Sequence, residues 1–229
     1  MPEEFQPPRL HAADLRFAYP GGDFSIHLSE LTLLQGQTLR LSGPSGAGKT
    51  TLLRLLCGLL PSTIGTLTID AQHHLHLLPP SALQTWRLKH AGLIFQDFAL
   101  LDYLTAAENI LLPSRFLGLP HGEWSRLQET LPALAARLDI TPLLHRSTAH
   151  LSQGERQRVA ILRALITSPS LVFADEPTAS LDRKHRDQVL QFLDDHLRST
   201  GAALVLITHD PEVAARYPIE LNLEDLHTA

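Results

Sequence analysis

The stretch Thr38-Leu39-Arg40-Leu41-Ser42-Gly43-Pro44-Ser45-Gly46-Ala47-Gly48-Lys49-Thr50 decides how this chain is read. Its first five residues alternate polar and apolar, the period of a strand. The next eight fit G-x-x-x-x-G-K-[ST]. Lys49–Cys57 then reads as a helix with Leu52, Leu53, Leu55 and Leu56 apolar, Gly58 as its C-terminal cap and Pro61 as a stop. Glycines in such a loop let backbone N–H groups approach phosphate oxygens with no Cβ in the way. The helix that begins near Gly48 aims the positive end of its dipole at the same anion. Lys49 would contact the β- and γ-phosphates and the Thr50 hydroxyl would help coordinate Mg²⁺. With glycine near 7% of residues, the four fixed positions are rarely met by accident. The spacing points to nucleotide binding.

Outward from this loop the pattern repeats. Leu171-Val172-Phe173-Ala174 is continuously apolar, as expected of a parallel strand covered on both faces, and it delivers Asp175 and Glu176 at its C-terminal end. Ligand sites of open α/β sheets lie at such ends. Asp175 suits a Mg²⁺ shell, and Glu176 could accept a proton from an attacking water. A helix with Val189, Leu190, Leu193 and Leu197 as its apolar stripe follows and can end at Gly201. Ala203–Ile207 reads as another buried strand, and Gly65–Asp70 and Gly92–Phe95 as further ones. Residues 1–42 read as short β-segments. Strands alternating with helices imply a mainly parallel sheet with helices packed on it, an α/β fold. From 97 to 150 strand signals fade and Leu- and Ala-rich helical spacing takes over, as in Trp124–Leu138, punctuated by Pro113, Pro120 and Pro142. The expectation is one domain over 1–229, with a core of 1–96 and 151–229 and an inserted helical subdomain at about 97–150.

Composition removes several alternatives. The 229 residues are 44% hydrophobic and 19% charged, which is ordinary for a globular chain and not for a disordered one. Nineteen Lys and Arg against 24 Asp and Glu leave a net charge of -5, so no nucleic-acid partner is expected, because sequence-independent binding needs a basic surface. Cys57 is the single cysteine, which excludes an intramolecular disulfide and a cysteine-based zinc site. No apolar run approaches the roughly 18 residues of a membrane-spanning helix. The start, Met-Pro-Glu-Glu-Phe-Gln-Pro-Pro, is acidic where a signal peptide is basic. A cytoplasmic location is expected, at most docked on a membrane through another protein.

Leu151-Ser152-Gln153-Gly154-Glu155 opens a helix read over Arg156–Thr167. Ser152 and Glu155 have capping-box spacing, so the segment reads as a capped helix start. A bare helix N-terminus beside a nucleotide site is also a second phosphate-binding candidate, and local residues leave both readings open.

With these elements in place, the chain resembles the ATP-binding cassette (ABC) ATPases. Leu151–Glu155 looks like their signature segment, followed by Arg156-Gln157-Arg158-Val159-Ala160. Gln96, in Ile94-Phe95-Gln96-Asp97, looks like the glutamine of the Q-loop. Ser180-Leu181-Asp182 resembles the D-loop, and His209, in Ile207-Thr208-His209-Asp210, the switch histidine. Tyr19, in Phe17-Ala18-Tyr19-Pro20, resembles the aromatic that stacks on adenine. The resemblance implies a RecA-like P-loop core with an N-terminal antiparallel β portion, hydrolysing ATP to ADP and phosphate. Two copies would pair head to tail around two Mg·ATP and drive an integral membrane permease subunit, placing the chain on the inner face of the cell membrane. It further implies that Gly43, Pro44, Ser45, Gly46, Ala47, Gly48, Lys49, Thr50 and Thr51 hold the nucleotide. Ser152 and Gly154 would contact a γ-phosphate in trans, with Asp182 crossing the interface. Gln96 and Asp175 would join Thr50 around the metal, and His209 would hold the γ-phosphate and the attacking water. Gln153 stands where the common signature has glycine, a departure that bears on turnover more than on binding.

Within the family the chain most resembles the lipoprotein-releasing and macrolide-export ATPases and the related cell-division cassette, on Gly92–Phe98, Leu104–Ile110 and Glu155–Ala160. Amino-acid importers carry similar stretches. The alternative functions are a cell-division-type signalling cassette that couples ATP turnover to a membrane partner without transport, or an amino-acid-importer-type cassette, with a soluble repair or translation cassette well behind them. His73, His74 and His76 read as a surface loop without an acid or cysteine cluster to make a metal site. Cys57 reads as a small core residue. Phe98, Leu100, Leu101 and Tyr103 fit either core or a docking face for the membrane partner.

Overall fold

The computed structural model describes residues 8–21, 24–62 and 64–226. The elements run β1 (Leu10–Ala18), β2 (Ser25–Leu33), β3 (Thr38–Ser42), α1 (Lys49–Leu56), β4 (Ile64–Ile69), β5 (His73–His74), α2 (Pro80–His90), β6 (Ala91–Ile94) and α3 (Ala106–Phe116), followed by α4 (His121–Arg137), α5 (Gln153–Leu165), β7 (Leu171–Asp175), α6 (Arg183–Thr200), β8 (Ala203–Ile207), α7 (Pro211–Arg216) and β9 (Glu220–Asn222). They fall into two compact units, one ending at Arg87 and resuming at Ala202, the other spanning Leu88–Gly201.

The first unit holds an antiparallel sheet in the order β2-β1-β4-β5. In β1 the buried positions change phase: Leu10 and Ala12 face inward, then Leu15 and Phe17. The pairing of β1 with β4 shifts register between Ala13 and Arg16, and Asp14 stands there at φ 48. This bulge inserts one residue and so moves the odd-numbered residues onto the buried face. Phe17 therefore faces inward, and Tyr19, two residues on, meets it edge to face at 4.7 Å. The same unit contains a parallel set in which β3 pairs with β8 (Leu41 opposite Ile207) and with β9 (Leu41 opposite Leu221). Every residue of β8 is buried, as strands covered on both faces require.

In the second unit β6 and β7 pair in parallel, Ile94 opposite Ala174. Between residues 97 and 150 the regular elements are helical, α3 and α4 with short 3-10 turns. Pro113 and Pro132 lie inside α3 and α4. The spacing reads Pro113 as punctuation; the helix instead continues through it, without the backbone hydrogen bond that proline cannot donate. Asn109, fully buried, ties the start of α3 to the loop ahead of it: its Oδ1 accepts from Leu101 N at 2.8 Å and its Nδ2 donates to Leu101 O at 3.0 Å. Thr105 and Glu108 form a capping box that stops the helix from fraying.

His73 and His74, read as loop, add a two-residue strand to the edge of β4. Among the described residues no group of three or more His, Cys, Asp or Glu side chains could hold a metal ion. Of the apolar residues after Gln96, Phe98 and Leu100 are buried and Tyr103 is 80% exposed.

Candidate functional site

The loop from β3 to α1 turns on three glycines with positive φ, Gly43 (130), Gly46 (83) and Gly48 (94). Gly48 is the N-cap of α1, and a Cβ there would lie 2.4 Å from the Phe24 ring and 3.0 Å from Ile26. Only glycine fits that conformation and that space. Lys49, 8% exposed, folds back beneath the loop and donates from Nζ to Gly43 O at 2.7 Å and Pro44 O at 2.8 Å. Ala47 N donates to Pro44 O at 3.2 Å and tightens the same turn.

A hollow of about 350 Å³ opens over this loop, lined by Tyr19, Phe24, Gly46, Gly48, Lys49, Thr50 and Thr51. That is a volume in the range of small-ligand pockets. Tyr19 stands at its edge, 41% exposed, its hydroxyl 3.3 Å from Thr51 Oγ1 and its ring 6.0 Å from that of Phe24. The hollow thus joins an aromatic face to a turn of backbone N–H groups and a buried ammonium, the chemistry that fits a base at one end and phosphates at the other. Local sequence does not single out Phe24, which joins the lining because its ring closes over Gly48. His209 follows β8 by two residues, and because Ile207 pairs with Leu41 it emerges at the same C-terminal end of the strands as Gly43.

The second unit carries Gln96, Ser152, Gly154, Asp175, Glu176 and Asp182. The parallel pairing of Ile94 with Ala174 puts Gln96 and Glu176, each two residues further on, at the C-terminal ends of adjacent strands. Asp175 is 5% exposed, and Glu176 takes φ 51, an unusual conformation for a side chain of its size. The α5 start is a capping box, as its spacing implied. Ser152 Oγ accepts from Glu155 N at 3.4 Å, while Glu155 Oε2 accepts from Ser152 N at 2.8 Å. The helix therefore begins at Gln153, three residues earlier than read. The Ser152 backbone N–H holds the Glu155 carboxyl below the usual carboxylate range. Gly154 packs so closely on the following segment that a Cβ would lie 3.1 Å from Ser180 O. Asp182 is the N-cap of α6: its carboxylate accepts from His185 N at 2.9 Å and meets His185 Nδ1 at 2.8 Å. Those two bonds hold its carboxyl below the usual range, and the side chain stays exposed.

Comparison with known proteins agrees with this chemistry. A family model described as ABC transporter matches residues 26–179. The chain is 42% identical over 183 residues to the ABC transporter ATP-binding protein YxdL of Bacillus subtilis (strain 168), covering 80% of this chain and 69% of that protein. It is 35% identical over 223 residues to the macrolide export ATP-binding/permease protein MacB of Escherichia coli (strain K12), covering 95% of this chain but only 33% of MacB. Among solved structures, a dimeric structure of MJ0796, a bacterial ABC transporter cassette, superposes with TM-score 0.80 at 30% identity over 93% of this chain and 94% of that one. A dimeric post-hydrolysis state of MJ0796 bound to ADP and Pi gives 0.78 at 31% identity over 90% of each. The chain belongs to the ABC transporter family, as one of its ATP-binding cassettes, and is an ATPase. Among the described residues no helix is long and apolar enough to cross a membrane.

Proposed function

We propose that the chain acts as a single cassette domain, with a core of 1–96 and 151–229 and a helical subdomain at about 97–150. Two copies pair around two Mg·ATP and drive a transmembrane permease of the export type. The observation that carries this reading is the Gly43–Thr50 loop leading out of β3 into α1, with Lys49 tucked beneath it and Tyr19 at the rim of its hollow.

Tyr19 offers a face for the adenine ring, and residues 43–51 take the phosphates through backbone N–H groups. An ammonium has three donors, two of which Lys49 uses on its own loop, so one serves a phosphate oxygen. Magnesium takes oxygen donors, and hydroxyl, amide and carboxylate oxygens are what Thr50, Gln96 and Asp175 provide. Once bound there, the ion would neutralise charge on the phosphates. Glu176 accepts the proton of the attacking water, and His209 holds that water against the γ-phosphate. Ser152 and Gly154 reach the γ-phosphate bound by the second copy, with Asp182 beside them. Because ATP then touches both copies and ADP does not, ATP favours the closed pair.

The dimeric MJ0796 structures support the pairing, and the likeness to MacB supports an export partner. An export partner places the cassette on the cytoplasmic face of the membrane. The test uses the Glu176→Gln protein. Its turnover should fall by about 10²–10⁴ with ATP binding intact, as for loss of a general base. Held with Mg·ATP, it should capture an integral membrane protein with a large extracytoplasmic domain from its host's membranes. Capture of a small importer-type permease would overturn the export reading. Recovery of soluble partners alone would overturn the permease.

A further inference from the structure

α5 presents Ala160, Ile161 and Ala164 to the interior, and Gln157 lies on the same face, 2% exposed. A buried amide there is costly unless both its ends are paired. Both are. Gln157 Nε2 donates to Glu176 O at 2.9 Å, and Gln157 Oε1 accepts from Ser180 N at 3.0 Å. The partners admit no other orientation, since a carbonyl only accepts and a backbone N–H only donates.

These two contacts span a tight turn. Glu176 O also accepts from Ala179 N at 3.3 Å, and Leu181 N donates to Thr178 O at 3.1 Å. Glu176 itself is held at φ 51, a backbone state that persists only where its surroundings over-determine it. One turn earlier on the same helix, Gly154 abuts Ser180 O and the Leu181 side chain. The first two turns of α5 therefore grip the segment that begins with Glu176.

We propose that Gln157 is a positioning residue for ATP hydrolysis. It links the α5 start, where Ser152 and Gly154 would meet the second copy's nucleotide, to the backbone that aims the Glu176 carboxylate. The inference rests on the reading of Glu176 as the base.

Steady-state hydrolysis by the full chain tests it. Gln157→Met keeps the volume and removes both hydrogen bonds. Gln157→Glu keeps the acceptor for Ser180 N and sets an anionic oxygen against Glu176 O. Each should lower kcat about tenfold or more with KM within about twofold, the signature of an interaction that serves the transition state. In a Glu176→Gln background neither should lower turnover further, because residues acting as a unit are not additive. An unchanged kcat, parallel changes in kcat and KM, or losses that multiply in the double variants would each overturn the proposal. If Gln157→Met fails to fold, Gln157→Glu carries the same test. Full turnover by Glu176→Gln alone would overturn the base assignment itself, whichever way the Gln157 variants behave.

Discussion

Arg163 donates through Nη2 to the Phe98 carbonyl at 2.7 Å, and its other terminal nitrogen bonds the carbonyl of Ala99. Phe98 and Ala99 are two successive non-glycine residues at positive φ (60 and 46), directly after Gln96 and Asp97. Such backbone costs about 1–3 kcal/mol per residue and needs support from elsewhere. Burial of the guanidinium pushes its pKa down to about 10, with Asp97 acting the other way. The fold accepts that cost because one planar fork satisfies both carbonyls of the strained turn. Arg163→Met should therefore destabilise the protein by about 2–4 kcal/mol, since two acceptors lose a charged donor. Arg163→Lys should fall between, able to serve one carbonyl well. Urea unfolding curves of the three proteins check the order.

Gly48→Ala is expected to abolish nucleotide binding at the loop while leaving the sheets in place. The new methyl would lie 2.4 Å from Phe24 and would have to hold φ at 94. Either Phe24 or the loop must move, and both line the hollow. Equilibrium binding of a fluorescent ATP analogue, beside the far-ultraviolet circular dichroism of the same sample, separates loss of the site from loss of the fold. Binding at the wild-type level would contradict the geometry.

The capping box at Ser152 and Glu155 makes stability pH-dependent with a defined sign. The Glu155 carboxyl is held below its ordinary 4.5, chiefly by the Ser152 backbone N–H. A carboxylate of this kind contributes fully above the unfolded value and loses its contribution as pH falls through the folded one. Glu155→Gln keeps an acceptor for Ser152 N and removes the charge. The wild-type protein should be the more stable by about 0.5–1 kcal/mol at neutral pH, a range that salt reduces because the site is partly exposed. Thermal melts should show the gap closing as pH drops below 4.5.

Cys57 should resist alkylation in the folded protein. Its thiol is fully buried at the end of α1 and leans on Arg54 O, and desolvation pushes its pKa up to about 12. Only the thiolate is nucleophilic, so at pH 8 iodoacetamide meets neither charge nor access. Mass spectrometry should find Cys57 unmodified natively and fully modified in guanidinium chloride. Rapid native labelling would show that α1 opens.

Much of the site was legible because its signals are local. Gly43–Thr50, the acidic end of Leu171–Glu176 and the Ser152–Glu155 capping box are each written within a few consecutive residues, and each takes the expected local form. Element bounds agree to within three residues, as at α5, which starts directly after its cap residue Ser152 and not at Arg156. Gln157 and Arg163 were not legible as supports. Their partners lie 19 and 23 residues away for Gln157 and 64 and 65 for Arg163. The phase change in β1 was equally hidden, because a bulge at Asp14 reveals itself only in the register with β4.

The sequence by itself determined the α/β class, the phosphate loop and the family, since periodicity, glycine spacing and charge act through neighbouring residues. Only the tertiary structure decided that Phe24 closes over Gly48 and that Gln157 grips the backbone of Glu176. It alone decided that Arg163 pins the turn after Gln96. Those contacts arise when distant segments pack, and burial then makes every unpaired polar group expensive; no window of consecutive residues carries that information.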